Sequence, residues 1–181
     1  MQAVVAGVVV VALGLLGGWR WGPFGDDEVV PSCSELAGAL PSVVEGVWTL
    51  TRAEPTREVS KSLVSCEFDF SSADRSYTGR IAVSLTESDD EAYLRETATE
   101  GPCYGEPVPY PSAPKYRVAR SCSQKINEKI FAGVFVASEN RYAHVYADFS
   151  SPGSPVKQLA EYANTSAQRI TDRAMTLKST D

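Results

Sequence analysis

From Ser62 to Phe70 the chain alternates between polar and apolar residues, with Val64, Cys66, Phe68 and Phe70 on one side. From Thr78 to Thr86 it alternates again, with Ile81, Val83 and Leu85 inward. A period of two is that of a strand with one buried face. Lys129 to Ala137 and Tyr142 to Phe149 form the clearest hairpin, turning at Ser138-Glu139-Asn140-Arg141. Shorter strands are expected at Val47 to Thr51 and Tyr116 to Ser121. The period changes near the end, where Val156, Leu159, Ala163, Ala167, Ile170, Ala174 and Leu177 recur at three and four, the stripe of a helix packed on a sheet. Ser154 is its expected N-cap and Pro155 its first helical residue.

Two shorter helices carry start signals. Ser32-Cys33-Ser34-Glu35 has the capping-box form, in which the serine hydroxyl and the glutamate satisfy free backbone N–H groups. The helix behind it places Leu36 and Leu40 on one face and ends before Pro41. Ser88-Asp89-Asp90-Glu91 repeats the box, with an acidic first turn that suits the helix dipole, and predicts a helix to about Thr99. The order of helix, three strands, helix, loop, two or three strands and helix reads as α+β: an antiparallel sheet with helices packed on it. That single domain takes residues 32–181, behind a leader over 1–24 and a linker over 25–31.

In the leader, Ala3 to Trp19 is uninterrupted apolar sequence, about 26 Å long as a helix, with Trp19, Trp21 and Phe24 at its end where aromatic rings prefer a membrane interface. It reads as a transmembrane anchor or, if cleaved, a signal segment. The basic residue Arg20 lies behind the run, and this alone weakly favours a cytoplasmic body. Cysteine usage points outward. Cys33, Cys66, Cys103 and Cys122 are widely spaced, lack a C-x-x-C pair and share the chain with one histidine, so two disulfides are expected and a zinc site is not. Of three pairings, Cys33 with Cys66 and Cys103 with Cys122 is favoured, each tying an element to a near neighbour. The formal charge of −6, without a Lys/Arg cluster, argues against nucleic-acid binding and against anionic lipid headgroups.

Little catalytic chemistry is written in the string. His144, the one histidine, sits mid-strand and reads as structural. Ser154-Pro155-Val156-Lys157 fits an S-x-x-K motif and Ser138-Glu139-Asn140 an S-x-N, but their order is reversed and no K-T-G follows. Glu87, Asp89, Asp90 and Glu91 lack the spacing of a calcium loop and read as capping groups. No metal and no cofactor is expected. Two surfaces remain. Pairing Ala137 with Tyr142 puts Phe131, Phe135, Tyr142, His144 and Tyr146 on one face of the hairpin, either a second core layer or a partly open binding face. The opposite face, from Ile130 to Ala147, is the expected seat of the last helix. The loop with Pro102, Pro107, Pro109, Pro111 and Pro114 bears Tyr104, Tyr110 and Tyr116, and is either a rigid contact loop or a stapled solvent loop.

The Ser32-Cys33-Ser34-Glu35-Leu36 start, Cys66-Glu67-Phe68 in a strand, the second cysteine pair and the alanine-rich last helix resemble actinobacterial secreted proteins and lipoproteins of unknown function. They also resemble extracellular sensor domains attached to some kinases of those bacteria. The chain departs from the lipoproteins in having no cysteine close behind the leader. The resemblance implies an envelope location and a binding role, and assigns no residue. The function expected is therefore a membrane-anchored extracytoplasmic domain that binds an envelope protein or a small ligand without catalysis. The alternatives are an envelope hydrolase with a site of scattered residues, or a structural envelope protein.

Overall fold

The computed structural model describes residues 30–54 and 63–180. The leader and most of the linker lie outside the described residues, and among those described no helix is long and apolar enough to cross a membrane. The elements in chain order are α1 (Cys33–Ala39), β1 (Gly46–Glu54), β2 (Leu63–Ser72), β3 (Thr78–Glu87), α2 (Glu91–Glu100), β4 (Glu106–Pro107), β5 (Val118–Ile126), β6 (Lys129–Ala137), β7 (Arg141–Ser150) and α3 (Val156–Thr176). The strands form one sheet in the order β1-β2-β3-β7-β6-β5-β4, antiparallel at every pairing. The α+β expectation holds, and the expected hairpin register of Ala137 opposite Tyr142 is observed.

The inner face of the sheet carries the main core. Val64, Cys66, Phe68 and Phe70 of β2 and Ile81, Val83 and Leu85 of β3 are all buried there. Burial of side chains of this size is worth roughly 1.5–3 kcal/mol each. Across β6 and β7 the inward face alternates Ala132, Ala143 and Ala147 with larger residues such as Val134, Val145 and Phe149, and α3 brings Ala163, Ala167 and Ala174 to the same core. Small residues on both sides let helix and sheet approach closely. Leu159 and Ile170 complete the stripe, while Val156, expected in it, is 47% exposed.

Several boundaries differ from expectation for local reasons. Val30 and Pro31, read as linker, are buried, so the ordered domain includes them. The chain passes through Pro41 as a 3-10 turn, Leu40–Ser42, since proline is tolerated at the first positions of a helix. Asp90, not Ser88, caps α2, its side chain accepting from Tyr93 N–H. Pro155 is the N-cap position of α3 and offers no side-chain cap; the Ser154 hydroxyl bonds Ser151 instead. Strand β5 runs on to Ile126 and pairs with β6 through a turn in which Asn127 has φ 55°. The edges of the sheet are guarded: β1 has a bulge between Leu50 and Arg52, and β4 ends in Pro107, which lacks a donor for a further strand.

The first capping box forms as expected. Ser32 N–H donates to Glu35 Oε2 at 2.7 Å, and Glu35 N–H to Ser32 Oγ at 3.3 Å. Glu35 also accepts from the N–H and hydroxyl of Thr180, so the first helix holds the C-terminal tail. The Ser32 and then the Thr180 N–H lower its carboxyl pKa to about 2.

A charged contact locks α3. Arg141 is 9% exposed and donates from Nη1 to the carbonyls of Ala174, Met175 and Leu177 at 3.3, 3.1 and 2.6 Å. These are carbonyls that a helix end leaves without internal partners. Its Nε donates to Glu87 Oε1 at 2.6 Å, and its Nη2 bonds the same oxygen. Arg120 does the same for α2 on the other face, reaching the carbonyls of Ala98, Thr99 and Gly101.

Both expected disulfides are present, Cys33–Cys66 and Cys103–Cys122, and they indicate an oxidising, extracytoplasmic environment. With sequence separations of 33 and 19, loop-closure entropy assigns each about 3–4 kcal/mol. Urea denaturation of Cys33→Ala/Cys66→Ala is expected to show a loss of about that size; a loss under about 1 kcal/mol would contradict it. Arg141→Met is expected to cost about 3–5 kcal/mol, because it strands a buried carboxylate. Adding Glu87→Gln should recover part of this loss in the same assay, and strict additivity of the two changes would refute the coupling.

Candidate functional site

The hairpin aromatics lie on the outer face of the sheet, and α2 divides them. Leu94 and Ala98 of α2 pack on Phe135, Ala137 and Tyr142, leaving Phe135 and Tyr142 at 1% and 5% exposure. That half is a second core layer. His144 sits beneath its margin, stacked on Phe135 at 5.8 Å, with Nδ1 and the Tyr142 hydroxyl 3.0 Å apart. Beyond α2 the sheet is open. Phe131 is 36% exposed, and Tyr146, its hydroxyl bonded to the Pro102 carbonyl at 2.7 Å, is half-buried.

The open half is a cleft of about 340 Å³. Its floor is Gly133 beside Cys122, and its walls are Phe131, Ile126, Tyr146 and Tyr104. Glycine in mid-strand is unfavourable by propensity and marks a close approach. A Cβ at Gly133 would lie 3.1 Å from Cys122 Sγ and 3.5 Å from the rings of Phe135 and Tyr146. The missing side chain therefore lets the disulfide lie close to the sheet and keeps the floor bare. The rim bears Arg80, Asp148 and the amide of Gln124. Its charges are paired, Lys129 with Asp148 at 3.3 Å and Arg80 with Asp69 at 3.5 Å, so the mouth presents no dominant sign.

The proline loop wraps the sheet edge from one face to the other. Tyr104 is 65% exposed and stands over the cleft, followed by Gly105 at φ +93°, where a side chain would strike the Ser123 carbonyl. Tyr110 and Tyr116 face the other side. Both hydroxyls donate to Asp172 Oδ1 of α3, at 2.7 and 2.6 Å, and Ser112 donates to Oδ2 at 2.7 Å. Burial, then the bond to Asp172, pushes both phenols far above the ordinary tyrosine range. Of the three tyrosines named from sequence, two tie the loop down and one lines the cleft.

Among the described residues, the catalytic candidates read from the sequence do not come together. Ser154 of the S-x-x-K match is engaged by Ser151, and Ser112, three residues before Lys115, by Asp172. Ser84, opposite His144 on β3, has its hydroxyl 3.1 Å from that of Ser65. Among the described residues no group of three or more His, Cys, Asp or Glu is placed to hold a metal ion. Gly133, Ile126 and Gln124, all absent from the sequence-based candidates, belong to the cleft. The glycine was the one available signal, being unexpected in so apolar a strand.

Burial lowers the His144 pKa below its ordinary 6.5. Above 6.5 the ring is neutral whether the chain is folded or not. As pH falls through 6.5 the unfolded chain takes up the proton first, so stability falls by at most about 1.4 kcal/mol per unit until the folded pKa is reached. Urea midpoints between pH 7.5 and 5 are expected to show this loss in the parent and a shallower one in His144→Gln; parallel profiles would contradict it.

No family model, no curated protein and no solved structure matches this chain, so its functional reading rests on the geometry of the cleft and of the sheet that bears it.

Proposed function

We propose that this chain is an extracytoplasmic binding domain, held at the cell envelope by its N-terminal apolar segment, and that its outer-face cleft takes a neutral, flat, apolar ligand. One observation carries the reading: the sheet leaves Phe131, Ile126 and Tyr104 exposed around a bare glycine floor instead of covering them. An apolar concavity of this size, with few polar groups at its rim, is the ordinary form of a small-molecule site. Rim charges that are already paired favour an uncharged occupant, since a charged one would break those pairs. The two disulfides support the compartment, and the apolar run from Ala3 to Trp19 supports attachment to a membrane.

The test is titration of the full chain with 2-naphthol, reading the Ile126 methyl signal by NMR. A saturable shift with a dissociation constant on the order of 10–100 μM is expected. Gly133→Val, which fills the floor, and Tyr104→Ala, which removes an exposed wall, should each weaken binding about tenfold. An Ile126 signal that does not move, or equal affinity in both variants, would refute the reading; 2-naphthol bound elsewhere would leave this methyl still.

A further inference from the structure

A second concavity, of about 520 Å³, lies at the other side of the sheet. Three segments enclose it: Ser42 to Glu45 behind α1, the β2–β3 turn from Ser72 to Tyr77, and the α3 residues Tyr162, Thr165, Ser166 and Arg169. Its character is opposite to that of the cleft. Tyr77 and Tyr162 stack on each other, with centroids 3.9 Å apart and planes 7° apart, and both half-buried side chains line the groove. Asp74 is pinned by the Ser72 hydroxyl at 2.6 Å and by the N–H and hydroxyl of Ser76 at 3.0 and 2.7 Å. These bonds keep it ionised down to about pH 2. Glu45 and Arg169, both exposed, make no salt bridge among the described residues.

We propose that this groove binds a short saccharide. The Glu45 carboxylate can accept from two neighbouring hydroxyls, and the Arg169 guanidinium can donate in a planar fork to ring and hydroxyl oxygens, while Asp74, already held by Ser72 and Ser76, contributes charge. The part of the tyrosine pair that lines the groove offers an apolar surface to the C–H face of a sugar ring. Among the residues that line the groove, Glu45 and Asp74 outnumber Arg169, which disfavours an anion. The floor adds an apolar patch, Val43 half-buried and Val44 buried, which suits the methyl of an N-acetyl group. The groove shares no residue with the cleft, so the two readings stand or fall separately.

Tri-N-acetylchitotriose is titrated into the full chain while the methyl signals of Val43 and Val44 are followed by NMR. The expected result is a saturable shift at these methyls, with affinity reduced about tenfold in Arg169→Gln and unchanged in Gly133→Val. Arg169 is exposed, so its replacement leaves the core intact. Tyr77→Ala should weaken binding further, with its urea midpoint measured to confirm that it folds. Three outcomes would overturn the proposal: unmoved Val43 and Val44 signals at millimolar sugar, equal affinity in Arg169→Gln, or displacement of the sugar by sodium sulfate at constant ionic strength, which would assign the groove to an anion.

Discussion

The end of α3 is fixed by one buried arginine. The last turn of a helix leaves carbonyls that no further turn satisfies, and one left bare and buried would cost on the order of 1–3 kcal/mol. Arg141, rooted in β7, supplies the donors, and Glu87 on β3 balances its charge. The consequence runs outward. Fixing the end of α3 sets its alanines against those of β6 and β7, and brings Asp172 to the sheet edge. Asp172 then receives Tyr110, Ser112 and Tyr116, which anchors the proline loop on the inner side. With Cys103–Cys122 holding the loop on the outer side, Tyr104 stands where the cleft needs a wall. The loop that walls the cleft is thus held on both faces of the sheet.

The same device appears on a smaller scale with α2. Arg120 satisfies its terminal carbonyls while lying over the Phe135 ring at 5.8 Å. Because α2 is short, it covers Phe135 and Tyr142 and stops before Phe131. Where it stops, the sheet changes from core to cleft. A longer helix would have completed a second core layer and left nothing open. The groove on the other side has a related origin: the β2–β3 turn stands away from α3, and the stacked tyrosines bridge the gap without filling it.

Much of the fold was legible along the chain because its determinants are local. Alternation in β2, β3, β6 and β7 follows from a sheet with one heavily buried face, and the stripe of α3 from the matching need of a helix. The Ser32–Glu35 box is satisfied within one turn. What was missed lacks a local signature. Arg141 reads as a turn residue, and only the carbonyls of α3, far away in sequence, explain its burial. Strand β5 beyond Ser121 is too polar to stand out, since it lies near the sheet edge and needs only one apolar face. Ser88 and Ser154 looked like caps by spacing alone; a cap is decided by backbone angles that neighbouring residues and packing set together.

By itself the sequence determined the α+β class, the hairpin register and the seat of the last helix, because each follows from periodicity, and it favoured the observed disulfide pairing among three. Whether the aromatic face was covered had to be decided by the tertiary structure. The five residues of that face look alike in the string, and α2 buries some while leaving others open. The tyrosines of the proline loop likewise parted, two to Asp172 and one to the cleft. Both divisions depend on where a distant helix ends, and that is settled by long-range contacts such as those of Arg120 and Arg141.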